Sequence, residues 1–285
     1  MEKPVFRAPE YACDSHVHIL GNPQKYLFAE GNDRSTYKTA FPEDYLSLQK
    51  IMGLERVVFV QLGAYGTNNS CQLDAASYFG LKNARVVAVI NENTITDRQL
   101  QDLHDKGTRG LRVRLSSSQP LLPGLAEKML TVLQKLENLI KNTGWFLDIM
   151  FTDWLIYELY HDLKKLRVPY IFPHYGMNRA CNGIGSSSFQ ALLSLMKDGF
   201  CWVKLSGPNR LSVHPTYADM VKLGRTIYET APNRVLWGSD YPHTNSVGDD
   251  TIKMFNMFKS IVPDKEDIQR IMVENPAVIF DFEKT

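Results

Sequence analysis

Residues 11–20 read YACDSHVHIL, a short apolar run that closes on two histidines spaced two apart behind an acid. On a strand, positions i and i+2 share a face, so His16 and His18 open onto one small volume. The chain holds only 7 histidines in 285 residues, which makes the pairing informative. Side-by-side imidazoles suit a metal ion, or a place where protons and oxyanions are handled. A strand that simply ends in two satisfied polar residues is the plain alternative. The rest of the chain has to decide.

Comparable apolar, β-branched runs recur along the sequence: RVVFVQL (56–62), RVVAVIN (85–91), GLRVRL (110–115), WFLDIMF (145–151), PYIFPH (169–174), CWVKLSG (201–207) and RVLWGSD (234–240). With the first run they make eight candidate strands. Stretches of helical periodicity lie between most of them, including PEDYLSLQKIMG (42–53), TDRQLQDLHDKG (96–107), LAEKMLTVLQKLENLIKNTG (125–144) and YADMVKLGRTIYETAP (217–232). Gly53, Gly107 and Gly144 stand where helices should stop, and Asp97 and Thr216 near where two should start. Strands alternating with helices predict a parallel sheet, and eight such units favour closure into a (β/α)8 barrel. A single α/β domain over 1–285 is expected, with some distortion and with long barrel-top loops at about 21–41 and 175–188.

Composition agrees with an ordinary globular protein: 44% hydrophobic residues, 22% charged, formal net charge +1. No dense basic run points to nucleic acid. No apolar run reaches membrane-spanning length and the first residues show no apolar leader core. Cys13, Cys71, Cys181 and Cys201 form no CxxC. A cytoplasmic protein with reduced thiols is the expectation.

In a barrel, polar residues at the C-terminal strand ends converge. Here those are His16 and His18 on the first strand, Gln61 on the second, Arg112 and Arg114 on the fourth, His174 on the sixth, Arg210 after the seventh, and Asp240 and His243 after the eighth. Charges there are costly unless paired or used. His104 and His161 sit on helical segments and read as solvated positions; His214, just past Arg210, could line the pocket.

The segments DSHVH, FPHYG, VLWGSDYPH and NPAVIFDF resemble the amidohydrolase superfamily, and PNRLS with SDYPHTN narrows the likeness to the branch of 2-pyrone-4,6-dicarboxylate hydrolase and sugar-acid lactonases. That resemblance implies His16, His18, His174 and Asp240 as the active-site set. It implies Arg112 and Arg210 as carboxylate-holding residues, a task that fits the guanidinium fork. It adds Tyr37 as a substrate contact, with His243 and Asn245 flanking the aspartate. Two positions depart from the branch: Ser118 replaces an arginine and Met150 a tyrosine. Arg114 either supplies the lost charge or packs against an acid.

The resemblance implies opening of a lactone ring in a small carboxylated substrate, with Asp240 as general base and the histidines polarising the carbonyl. No required cofactor is the favoured expectation, because the fourth strand offers arginines and the fifth no histidine. One zinc ion on His16, His18, His174 and Asp240 is the alternative. Lactone isomerisation, a zinc-dependent amidohydrolase or decarboxylase, and a non-catalytic metabolite-binding barrel stay open. No nucleic-acid or membrane partner is expected, and the oligomeric state stays open.

Overall fold

A computed structural model describes residues 2–115, 123–244 and 250–284. All eight expected strands form: β1 (Cys13–Val17), β2 (Arg56–Val60), β3 (Ala84–Ala88), β4 (Thr108–Arg114), β5 (Phe146–Met150), β6 (Tyr170–Phe172), β7 (Cys201–Leu205) and β8 (Val235–Trp237). They pair in parallel in chain order, β1 beside β2 through to β7 beside β8. The result is a (β/α)8 barrel. Nearly every strand residue is buried on both faces, which explains why the strands read as continuous apolar runs. No helix among the described residues is long and apolar enough to cross a membrane.

Local signals set most helix ends. Pro42 opens the helix Pro42–Met52, and Gly53 closes it at φ +79°, a left-handed conformation that suits glycine. Thr96 caps the helix Asp97–Asp105 by a reciprocal exchange with Gln99. Thr216, by contrast, starts nothing: the following helix runs Met220–Thr230. The expected loop regions carry short 3-10 turns at Arg34–Thr36, His174–Met177 and Ala180–Asn182, and the second region runs into the helix Ser187–Lys197.

The barrel is filled from below. Cys13, Val58, Val60, Val87, Phe146, Ile171, Trp202 and Leu236 pack inside with Phe280 and Phe282 from the C-terminal segment. Arg85 Nε donates to the Phe280 carbonyl at 3.0 Å and Arg56 Nη2 to the Glu283 carbonyl at 2.8 Å. Both guanidinium groups face the Phe282 ring, 4.6 and 5.0 Å from its centroid. Asn275 Nδ2 ties this plug to the sheet through the carbonyls of Pro232 and Val235.

Closure between β8 and β1 is made largely beyond the end of β8. A single bridge, Val17 to Tyr241, joins the two sides. His18 N donates to the Tyr241 carbonyl at 2.8 Å, and Asp240 N to the His16 carbonyl at 2.9 Å. The register of β1 shifts between Asp14 and Val17. There the buried Asp14 takes over from the ladder: Oδ1 accepts from Ser239 N at 2.8 Å and His16 N at 3.1 Å, and Oδ2 from the Tyr45 hydroxyl at 3.0 Å. Asp14→Ala leaves two backbone donors unmet in the interior and should cost about 2–4 kcal/mol. Urea unfolding checks this; an unchanged midpoint would mean that the seam holds without the carboxylate.

Candidate active site

Each group of the expected set is aimed by its own local device. His16 lies in β1 and His18 one residue beyond it. His18 is fixed by its Nδ1, 2.6 Å from the Val60 carbonyl. A carbonyl only accepts, so Nδ1 carries the proton and Nε2 of the neutral ring is a bare lone pair. His174 follows β6 at φ +54°. Its backbone N donates to Ser206 Oγ at 3.2 Å, and that hydroxyl lies 3.0 Å from its Nδ1. A hydroxyl donating there leaves the His174 proton on Nε2. Asp240 sits just past β8 at φ +61°. Gly207, at φ +57°, lets the chain pass closely: a β-carbon there would lie 2.9 Å from His174 Nδ1 and 3.0 Å from Asp240 Oδ2.

These devices bring the four residues together. The Nε2 atoms of His16, His18 and His174 stand 3.8, 3.7 and 3.8 Å from one oxygen, Asp240 Oδ1. The other, Oδ2, receives Arg210 Nε at 2.6 Å. All four residues are buried. Burial pushes His18 and His174 down to about 3 and His16 well below its ordinary value, so the imidazoles are neutral. Burial alone would raise Asp240, but Arg210, His174 and His18 outweigh it and hold the carboxyl well below the usual range.

The other expected residues divide. Arg112 is buried with Nη1 on the Gln61 carbonyl at 3.1 Å, Nη2 on Met150 Sδ at 3.0 Å, and Nε 3.6 Å from Asp148 Oδ1. Arg114 is exposed and has no acidic partner among the described residues; burial lowers its pKa, and Tyr37 favours its charge. Tyr37 is partly buried, its ring edge-on to Phe28 at 5.3 Å. His243 is buried, with Nε2 2.7 Å from Thr251 Oγ1. Asn245 and Ser118 lie outside the described residues.

One histidine expectation needs correction. His104 is half-buried rather than solvated, its ring parallel to that of Trp145 and accepting from the indole N–H at 3.1 Å. His214 is exposed, its Nδ1 accepting from Thr216 N. His161 is exposed as expected.

Sequence reasoning gave Lys204 no role and Asp148 only a place on a strand. Lys204 Nζ meets Asp148 Oδ2 at 3.0 Å with both side chains 0% exposed. The signal was there: a lysine inside the apolar run CWVKLSG, two residues beyond the interior Trp202. Burial works to raise Asp148, yet Lys204 and Arg112 prevail and hold it down; burial lowers Lys204 against the pull of Asp148.

The family profile described as amidohydrolase matches residues 13–282. The chain belongs to the amidohydrolase family. Three curated relatives are similar along nearly their whole length. A 4-sulfomuconolactone hydrolase of Hydrogenophaga intermedia is 29% identical, covering 96% of this chain and 90% of the relative. A 2-pyrone-4,6-dicarboxylate hydrolase of Comamonas testosteroni is 31% identical, covering 98% and 92%. A D-galactarolactone isomerase of Agrobacterium fabrum is 29% identical, covering 97% and 92%.

In this amidohydrolase the residues present fit a divalent cation such as zinc. His16 Nε2, His174 Nε2 and Asp240 Oδ1 are buried without hydrogen-bond partners among the described residues, and ligand atoms of these three residues lie within 4.8 Å of one another. The His174 proton would then move to Nδ1, where the Ser206 carbonyl lies 3.3 Å away.

The neutral histidines also set an acid response. A ring with pKa about 3 in the fold and about 6.5 unfolded stabilises fully above the unfolded value, and that stability drains as pH falls toward the folded one. Asp14, raised by burial to about 6, works the opposite way over an overlapping range, so a variant comparison is needed to isolate one ring. His174→Asn should flatten the pH dependence of unfolding free energy by about 1.4 kcal/mol per pH unit between about pH 4 and 6. Urea titrations across that range check it.

Proposed function

We propose that this amidohydrolase opens the lactone ring of a small carboxylated substrate. The observation that carries the reading is the convergence of three neutral imidazoles on one oxygen of a carboxylate whose other oxygen is held by an arginine. The lactone activity named for the relatives supports it.

The tautomers divide the labour. His18 Nε2 and Asp240 Oδ1 are both acceptors, 3.7 Å apart, and suit the two hydrogens of one water. His174 Nε2–H is a donor, and the His16 ring nitrogens have no partner among the described residues, so these two face the developing oxyanion. Water attacks the lactone carbonyl carbon while Asp240 Oδ1 takes its proton. The tetrahedral oxyanion collapses, the ring C–O bond breaks, and Asp240 returns the proton to the leaving oxygen. A carboxylate held this low is a weak base, so proton transfer accompanies attack rather than preceding it. Arg112 and Arg210 hold the substrate carboxylate and convert binding energy into position. A zinc ion, if bound by His16, His174 and Asp240, would add Lewis-acid polarisation of the carbonyl; the arginines and neutral donors supply the reading without it.

A screen of carboxylated five- and six-membered lactones, with products identified, tests the reading. The expected product is the ring-opened hydroxy acid; an isomeric lactone would keep the site and replace hydrolysis by isomerisation. Asp240→Asn should lower kcat by about 10²–10⁴-fold. A pure binder would retain affinity and have no turnover to lose. Activity should survive exhaustive chelation; a loss that zinc restores would move carbonyl polarisation to the ion.

Arg210→Ala should lower kcat/KM for a charged lactone by roughly 30- to 1,000-fold, with poor rescue by Arg210→Lys. An uncharged lactone losing as much would place Arg210 in support of Asp240 alone.

A further inference from the structure

Below the histidines lies a layer of three charges that the proposed mechanism uses only in part. Arg112 and Asp148 are register partners on β4 and β5, and Lys204 reaches the same carboxylate from β7. Asp148 therefore stands between two cations: Oδ2 is bonded to Lys204 Nζ at 3.0 Å, and Oδ1 faces Arg112 Nε at 3.6 Å without a hydrogen bond. Stability does not account for this. A buried ion pair is commonly no better than a well-packed apolar pair of the same volume, and the layer beneath is filled by such residues. The charge count suggests a use. Asp148 with Arg112 alone would sum to zero, whereas Lys204 makes the layer net positive.

We infer that Lys204, acting through Asp148, sets the site's preference for anionic substrates by occupying the carboxylate that would otherwise neutralise Arg112. This rests on the carboxylated-lactone reading. Lys204 is a positioning residue here, since it touches no substrate. With Oδ2 held by Lys204, Asp148 keeps its distance from Arg112 Nε. The arginine then retains a net charge and one N–H on each terminal nitrogen for a ligand carboxylate.

Two probes separate the outcomes: citrate binding by calorimetry, and turnover of one carboxylated and one uncharged lactone. Lys204→Met leaves Asp148 paired with Arg112, so no buried charge is orphaned. It should weaken citrate binding by about tenfold and raise KM for the charged lactone similarly, with kcat and the uncharged lactone nearly unchanged. Adding Asp148→Asn should restore citrate affinity to within about threefold of the unmodified protein, a rescue that a merely structural lysine would not show. Lys204→Gln, which keeps a donor on Asp148 without the charge, should repeat the loss and serves if the methionine variant does not fold. Wild-type citrate affinity in either folded single variant, no rescue in the double, or equal losses for both lactones overturns the inference. Citrate binding requires no chemistry. A protein that shows the rescue yet opens no lactone counts against the lactonase reading alone, and turnover without any Lys204 dependence counts against this one alone.

Discussion

The hydrogen bond from Asp240 N to the His16 carbonyl, 2.9 Å long, joins the last strand's outlet to the first strand. It closes the barrel and places the carboxylate against the imidazoles in one act. Ordinary ladder pairing is scarce along this edge, where β8 is only 3 residues long and β1 shifts register. The chain compensates with Asp14, whose carboxylate stands in for a missing strand neighbour. Site geometry and barrel integrity are therefore coupled. Any shift at this junction moves His16, His18 and Asp240 relative to His174, which is carried by β6 and held by Ser206.

The interior is stratified by the cost of burying charge. The floor is aromatic and aliphatic, and the cations Arg56 and Arg85 beside it lie against the Phe282 ring and carbonyl oxygens. The middle holds Lys204, Asp148 and Arg112, two cations around one carboxylate. The top holds imidazoles that burial keeps neutral, around one carboxylate kept ionised against its burial by Arg210 first and the histidines after it. A neutral donor can strengthen its bond as an oxyanion grows, while a permanently charged one would already bind water or carboxylate in the resting state.

Much of this was legible in the sequence because it is local. Strand runs, most helix ends and the HxH spacing depend on residues within a turn or two, and all eight strands appeared where the apolar runs stood. Partners from distant strands were not legible. Nothing near Asp14 announces that Ser239, 225 positions away, donates to it. Arg210 could be placed at the mouth, but not its bond to Asp240. His104 illustrates the same limit: its helix is amphipathic and mostly exposed, and only the arrival of Trp145, 41 residues on, turns it into a half-buried acceptor. The charged layer was hidden for a related reason. Its members fall on three strands, and each alone looks like a polar residue in an apolar run.

The plug formed by Phe280 and Phe282 carries a consequence for biogenesis. The residues that fill the barrel's lower opening follow all eight strands in chain order, and the strand that meets β1 precedes them by only some forty positions. Until β8 and this segment have been made, the nascent chain can form only an open half-barrel with apolar edges on both sides. The seam and the floor are therefore completed together, since both wait for β8 and the segment that follows it.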